Sequence, residues 1–66
     1  MWTVVYIARS AHKAQSLEQK LMNEGIMVKL RPVGSSDVKS AESVEVLVPE
    51  SEAEEATELI NTILSS

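Results

Sequence analysis

The chain has 66 residues, 44% hydrophobic and 24% charged, with two glycines, two prolines and no cysteine. This composition predicts one folded domain over residues 1–66 and excludes disulfides and cysteine-based zinc sites. A net charge of −4 argues against nucleic-acid binding, which requires clustered lysine and arginine. The longest apolar run, residues 4–8, is far shorter than the about 20 residues of a membrane helix. We therefore expect no membrane contact, no signal peptide and a cytoplasmic location.

The first half of the chain has the pattern of a strand followed by a helix. Residues 2–8 are β-branched, aromatic or small without a helical period, which predicts the first strand. Ser10 is a favourable N-cap, and apolar residues then recur at spacings of three and four until Gly25 provides a stop. The first helix is therefore predicted over residues 11–24.

A hairpin is predicted next. Residues 26–31 alternate between apolar and longer or charged side chains, which predicts a half-buried second strand that ends at Pro32. The polar residues 34–43 are typical of a loop. The segment 43–49 alternates again, with the valines on one face and Glu45 and Leu47 on the other, and predicts a third strand.

The last predicted element is a second helix. Ser51 followed by Glu54 matches a capping box, and an apolar stripe continues behind it, so the helix is predicted over residues 52–64. The element order β-α-β-β-α predicts an α+β fold, in which both helices lie on one face of a three-stranded antiparallel sheet. The third strand would lie in the middle. This is the ferredoxin-like split β-α-β arrangement without its last strand.

The missing fourth strand predicts an interaction surface. It would leave residues 2–8 as a sheet edge without lysine or proline, and such edges tend to associate. Val5 and Ile7 are predicted to point into the core. The opposite face would then carry aromatic, aliphatic and basic side chains, as interface cores do. The predicted interface residues are Trp2, Val4, Tyr6, Lys29, Arg31 and Leu47, with Met27 and Glu45 beside them. The alternative is that an edge helix, a tail or an ordinary solvated sheet face accounts for these residues.

A second candidate site lies at the start of the first helix. Arg9, Ser10, His12 and Lys13 cluster where backbone N–H groups are free, and this combination suits an anion such as a phosphate or a nucleotide. Lys39 in the 34–43 loop is a further candidate contact. The alternative is that these are solvated side chains that follow a serine cap.

Catalysis and metal binding have little support. Ser10, His12 and Asp37 contain the residue types of a catalytic triad, but nothing in the sequence orients them or supplies an oxyanion hole. One histidine without cysteine makes a transition-metal site improbable. The glutamates between residues 50 and 55 are explained by the helix dipole, with a hard-cation site as the alternative. We therefore predict no enzyme activity, no cofactor and no metal.

A family resemblance covers nearly the whole chain. It is carried by a strand, turn, helix and E-G-I step in VVYIARSAHKAQSLEQKLMNEGIMVKL, and by a strand ending in V-P before an acidic helix in VEVLVPESEAEEATELI. These segments resemble short bacterial domains of unassigned function described as prokaryotic signal-transducing proteins. That family is similar to truncated forms of the ferredoxin-like nitrogen-signalling regulators. The resemblance implies oligomerisation and a partner-contacting role for residues 34–43, and it identifies no catalytic residues.

Two functional hypotheses follow from the sequence. The first is a cytoplasmic regulatory module that binds a protein partner or self-associates through the first strand and the open sheet face. The second is a sensor of a small anionic ligand at the start of the first helix, with residues 34–43 closing over the ligand.

Overall fold

The computed structural model describes residues 1–65 and contains the predicted strands and helices in the order β-α-β-β-α. The strands are β1 (Trp2–Ala8), β2 (Lys29–Val33) and β3 (Ser43–Pro49), and the helices are α1 (Ala11–Asn23) and α2 (Ala53–Ser65). A 3-10 turn, Val38–Ser40, precedes β3, and a second one, Glu50–Glu52, leads into α2. The predicted α+β fold class is confirmed.

The three strands form one antiparallel sheet in the order β1-β3-β2, so β3 lies in the middle as predicted. Val44, Val46 and Val48 of β3 are fully buried on one face of this sheet. Both helices pack on that face, where they contribute Ala14, Leu17, Leu21, Ala56 and Ile60 to one hydrophobic core. A sheet with helices on one side only has a second face that they do not cover.

The end of α1 determines where the second strand can begin. Gly25 adopts a left-handed conformation with φ +86°, its N–H donates to the carbonyl of Met22 at 2.9 Å, and the N–H of Ile26 donates to that of Leu21 at 3.1 Å. This Schellman motif joins the two buried side chains of Ile26 and Leu21 to the core. The prediction that β2 begins at residue 26 is therefore wrong, because β2 begins at Lys29.

Pro32 does not end β2 but lies inside it, paired with Val44. A proline lacks the N–H that a central strand needs, and it is tolerated here because β2 is an edge of the sheet.

The loop over residues 34–43 is held against the body of the protein. Asp37 Oδ1 accepts a hydrogen bond from the N–H of Lys39 at 3.2 Å, which caps the 3-10 turn, and Val38 and Ala41 pack against the core. The N–H of Glu42 donates to the carbonyl of Val33 at 3.0 Å, so the hydrogen bonding between β2 and β3 continues into the loop.

A β-bulge in β1 changes which side chains face the helices. Val4 is paired with Leu47, but Tyr6 is paired with Val46, so the ladder contains one extra residue at Val5. Directly opposed residues share a face, and Tyr6 therefore points toward the helices whereas Ile7 points away. Val5 packs against the core, as predicted. The predicted inward position of Ile7 and outward position of Tyr6 are both wrong.

The bulge predicts an unusual tolerance at Ile7, which is 56% exposed. We expect Ile7→Thr to change the free energy of unfolding by no more than about 0.5 kcal/mol in dilute solution, as for other surface substitutions. The matched control is Val46→Thr, which places a hydroxyl in the core and should cost about 1–3 kcal/mol. Urea denaturation measures both, and an equal loss of stability in the two variants would contradict the bulge.

Candidate functional site

The uncovered side of the sheet carries several exposed apolar side chains at the predicted interface. We call it the open face, and its residues are Trp2, Val4, Ile7, Lys29, Arg31, Val33, Glu45 and Leu47. Their placement follows from the strand pairing. Leu47 of β3 is paired with Val4 of β1 on one side and with Lys29 of β2 on the other. Glu45 is paired in the same way with Ile7 and Arg31. Each of these two rows thus runs from an apolar residue of β1 to a basic residue of β2, and Val33 adds an exposed apolar side chain on the β2 side.

Leu47 is the centre of the open face. It is only 4% exposed although neither helix packs on this side of the sheet. In the register it lies between Val4 and Lys29, and neighbours on the same face of a sheet stand close enough to shield it. Around it, Trp2 is 40% and Val4 37% exposed. A buried leucine surrounded by half-exposed apolar side chains is a small hydrophobic centre on the surface.

The charges of the open face lie on the β2 side. Lys29 Nζ is 5.7 Å from the centroid of the Trp2 ring, within the range of a cation–π contact. The Arg31 guanidinium forms an ion pair with Glu45 through Nε and Oε1. The pair is partly exposed, so its contribution to stability is about 0–1 kcal/mol. These contacts hold the long basic side chains across the sheet.

The structure places five of the six predicted interface residues on the open face. Tyr6 is the exception, since it packs against the core. Ile7 lies on the open face instead, where the sequence had predicted Tyr6. Alternation alone could not reveal this exchange, because the bulge at Val5 has no proline or glycine to mark it. Met27 is exposed as expected but precedes β2 and is not part of the open face.

The predicted anion-binding residues are divided between two places. Ser10, His12 and Lys13 line a groove of about 300 Å³ between α1 and α2, together with Ser16, Lys20, Ile63 and Leu64. Arg9 lines a separate groove with Ile7, Glu42 and Ser43. Lys39 lies in the 3-10 turn and lines neither groove.

Lys20 and Ser16 were not among the predicted site residues. The spacing His12, Ser16 and Lys20 places one residue on each successive turn of α1, and this is the signal that would have identified them. No carboxylate lines this groove in the part of the chain that the structure describes.

Two of the three residues of the hypothetical triad serve as caps, and the third, His12, lies within α1. Ser10 Oγ accepts a hydrogen bond from the N–H of Lys13 at 3.1 Å and is the N-cap of α1, whereas the Asp37 side chain caps the 3-10 turn. Within residues 1–65, no group of three or more histidine, aspartate or glutamate side chains is arranged to hold a metal ion. None of the helices described is long and apolar enough to cross a membrane.

Comparisons with known proteins assign this chain to no family. No family model matches the chain, and no significant match is found among curated proteins or solved structures. The resemblance to bacterial signal-transducing domains therefore stays a prediction.

The cap at Ser10 yields a direct prediction. We expect Ser10→Ala to lower the free energy of unfolding by about 1 kcal/mol, because the N–H of Lys13 loses its acceptor. Ser10→Asp is the matched control and should retain most of the stability, since a carboxylate also accepts this hydrogen bond. Thermal and urea denaturation measure the difference, and equal stability of Ser10→Ala and the parent would contradict the assigned role.

Proposed function

We propose that this chain is a non-enzymatic regulatory module of the cytoplasm whose open face binds a second copy of the chain. The observation that carries the proposal is the hydrophobic centre formed by Trp2, Val4 and Ile7 around the buried Leu47, on a sheet face that neither helix covers. Exposed apolar patches with a polar rim are typical of protein interaction sites.

The composition of the open face supports a protein partner. Interface cores are enriched in aromatic residues, methionine and arginine, and Trp2 and Arg31 both lie here. Burial of apolar surface stabilises a complex by roughly 25 cal/mol per Å², so the three half-exposed side chains of β1 would supply most of the association energy.

The charge distribution leaves the open face nearly free of acidic residues. The chain carries a net charge of −4, yet nine of its ten acidic residues lie outside the open face. Lys29, Arg31 and Glu45 give the open face a local charge of opposite sign to that of the whole chain. Two copies that meet through their open faces thus keep these nine acidic residues outside the interface, and the excess of positive charge on each open face is one.

The size of the open face predicts a weak complex. Three strands about 4.8 Å apart and up to seven residues long have a footprint of roughly 15 by 23 Å, less than half of the about 800 Å² that one partner contributes to a standard interface. We therefore expect a reversible dimer with a dissociation constant in the micromolar range or weaker.

The test is a lysine at the centre of the apolar side. Val4→Lys should weaken dimerisation tenfold or more, a loss of at least about 1.4 kcal/mol, because it places an unpaired ammonium group in the interface. Sedimentation equilibrium from micromolar to millimolar protein measures the change against the monomer mass of 7.2 kDa.

The matched control for that test is Met22→Lys, which makes the same change of charge at an exposed apolar residue of α1. It should associate like the parent, and circular dichroism should show that both variants are folded. A parent chain that stays monomeric throughout, or equal association of Val4→Lys and the parent, would contradict the proposal.

Binding of a small anion is the second candidate function. The groove between α1 and α2 favours it, because His12, Lys13 and Lys20 line it and none of its lining residues within 1–65 is acidic. The proposed site is narrower than the sequence predicted, since Arg9 and Lys39 lie elsewhere.

Inorganic phosphate is the probe for this second function. Amide NMR should show saturable shifts in the first three turns of α1, weakened by Lys13→Ala and unchanged by Lys39→Ala, because Lys13 lines the groove and Lys39 does not. Shifts that fail to saturate, or that Lys39→Ala reduces equally, would exclude a specific site in this groove.

A further inference from the structure

We infer that the groove between α1 and α2 binds an amphiphilic anion, a free small molecule whose acid group carries a short alkyl chain. This inference rests on the second candidate function and names the ligand class of its site. The groove has room for more than a bare ion. Its volume is about 300 Å³, whereas one water takes about 30 Å³ in the liquid. This volume lies at the lower limit for small-molecule pockets and favours a small ligand.

The two walls of the groove differ in chemistry. The wall formed by α1 is polar, with hydroxyl, imidazole and ammonium groups, and its residues are Ser10, His12, Lys13, Ser16 and Lys20. The wall formed by α2 is apolar and consists of Ile63 and Leu64, and the buried Leu17 of α1 forms the floor. A bare anion would leave the apolar wall in contact with water. An anion with an alkyl chain contacts both walls at once.

Two ammonium groups beside the groove supply the charge for an acid group. Among residues 1–65 the structure contains one ion pair, between Arg31 and Glu45, so Lys13 and Lys20 have no carboxylate partner there. In a chain with a net charge of −4, two unpaired ammonium groups at one groove are complementary to an anion. A phosphate or carboxylate accepts charge-assisted hydrogen bonds from such groups.

A neighbouring groove determines the direction of the alkyl chain. Lys20 and Ile63 also line this second groove, which contains Leu59 and Glu24. The carboxylate of Glu24 would repel an acid group at that end, so the acid group belongs beside Lys13 and the alkyl chain runs along Ile63 toward Leu59. Lys13 and Lys20 are about 10 Å apart along the helix axis, at 1.5 Å per residue. A chain of about six carbons is shorter than this, because each bond is about 1.5 Å long.

The lysines have a competing explanation, because α2 ends beside them. Ile63 and Leu64 belong to the last turn of α2, whose carbonyl groups carry partial negative charge. If the lysines served only to complement this charge, Lys13→Ala would lower the stability of the fold and the groove would bind no anion. The two explanations therefore predict different results in a binding experiment.

Alkyl phosphates of increasing chain length test the ligand class. We expect hexyl phosphate to bind at least tenfold more tightly than inorganic phosphate, with butyl phosphate between them, because the alkyl chain contacts the apolar wall. A tenfold gain corresponds to about 1.4 kcal/mol, which the burial of two methylene groups supplies. Isothermal titration calorimetry measures the affinities. Amide NMR should show larger shifts at Ile63 and Leu64 with hexyl phosphate than with inorganic phosphate.

Two variants separate the contribution of the alkyl chain from that of the acid group. Leu64→Ser removes an exposed apolar side chain near the end of α2, so it should abolish the gain of hexyl phosphate and leave the affinity for inorganic phosphate unchanged. Lys13→Ala should weaken the binding of both. Met27→Ser changes an exposed apolar residue outside the groove and is the matched control, which should keep the gain. Circular dichroism shows whether each variant is folded.

The other outcomes separate this inference from the second candidate function. Saturable binding with equal affinity for inorganic and hexyl phosphate, or a gain that survives Leu64→Ser, would overturn the inference and leave that function standing. If neither phosphate binds, both are overturned. A membrane surface offers the same chemistry. Co-sedimentation with vesicles of phosphatidylcholine and phosphatidic acid, without binding of free hexyl phosphate, would overturn the inference in favour of a lipid headgroup.

Discussion

The bulge at Val5 determines which side chains of β1 reach each face of the sheet. With one extra residue in the ladder, Val5 and Tyr6 both pack toward the helices, and Ile7 points outward beside Glu45. Without it, strict alternation would bury Ile7 and expose Tyr6. A single irregularity in one strand is therefore the reason that Ile7, and not Tyr6, lies with Trp2 and Val4 on the apolar side of the open face.

The rest of the fold explains why this face stays uncovered. Two helices of thirteen residues each are enough to bury Val44, Val46 and Val48 on one side of β3, and the chain has no further helix for the other side among its described residues. A domain of this length buries only about 60% of the surface of its unfolded chain, so its stability is modest and a second copy would add to it. Leu47 is nearly buried although no helix lies above it, and the contact with a second copy would be centred on it.

Much of the fold could be predicted because its signals are periodic. The spacing of apolar residues predicted both helices, and alternation in residues 43–49 predicted the central strand with its valines inward. The errors occur where the backbone departs from a regular period. The Schellman motif after α1 buries Ile26 before any strand begins. In the sequence, this buried residue looks like the first inward position of an alternating strand, so it was assigned to β2. Pro32 was predicted to end β2 because proline excludes a central strand, but β2 is an edge.

The candidate sites were predictable to different degrees. Trp2, Val4, Lys29, Arg31 and Leu47 share a face because two of the strands alternate regularly there, and only the position of Tyr6 depended on the bulge. The anion site was predicted from residues adjacent in sequence. Where a strand is followed by a helix, the chain changes direction, so neighbouring residues can face different grooves. Arg9 ends beside Glu42, whereas Lys13 turns with α1 toward α2.

The central claim is that the open face binds a second copy, and the most direct measurement is a dilution series of amide NMR spectra of the unaltered chain. If the claim is right, dilution shifts the indole N–H of Trp2 and the amides of Val4, Ile7 and Leu47, and leaves the outer surfaces of α1 and α2 unchanged. Spectra that do not change between millimolar and micromolar protein, or shifts confined to the helices, would contradict it.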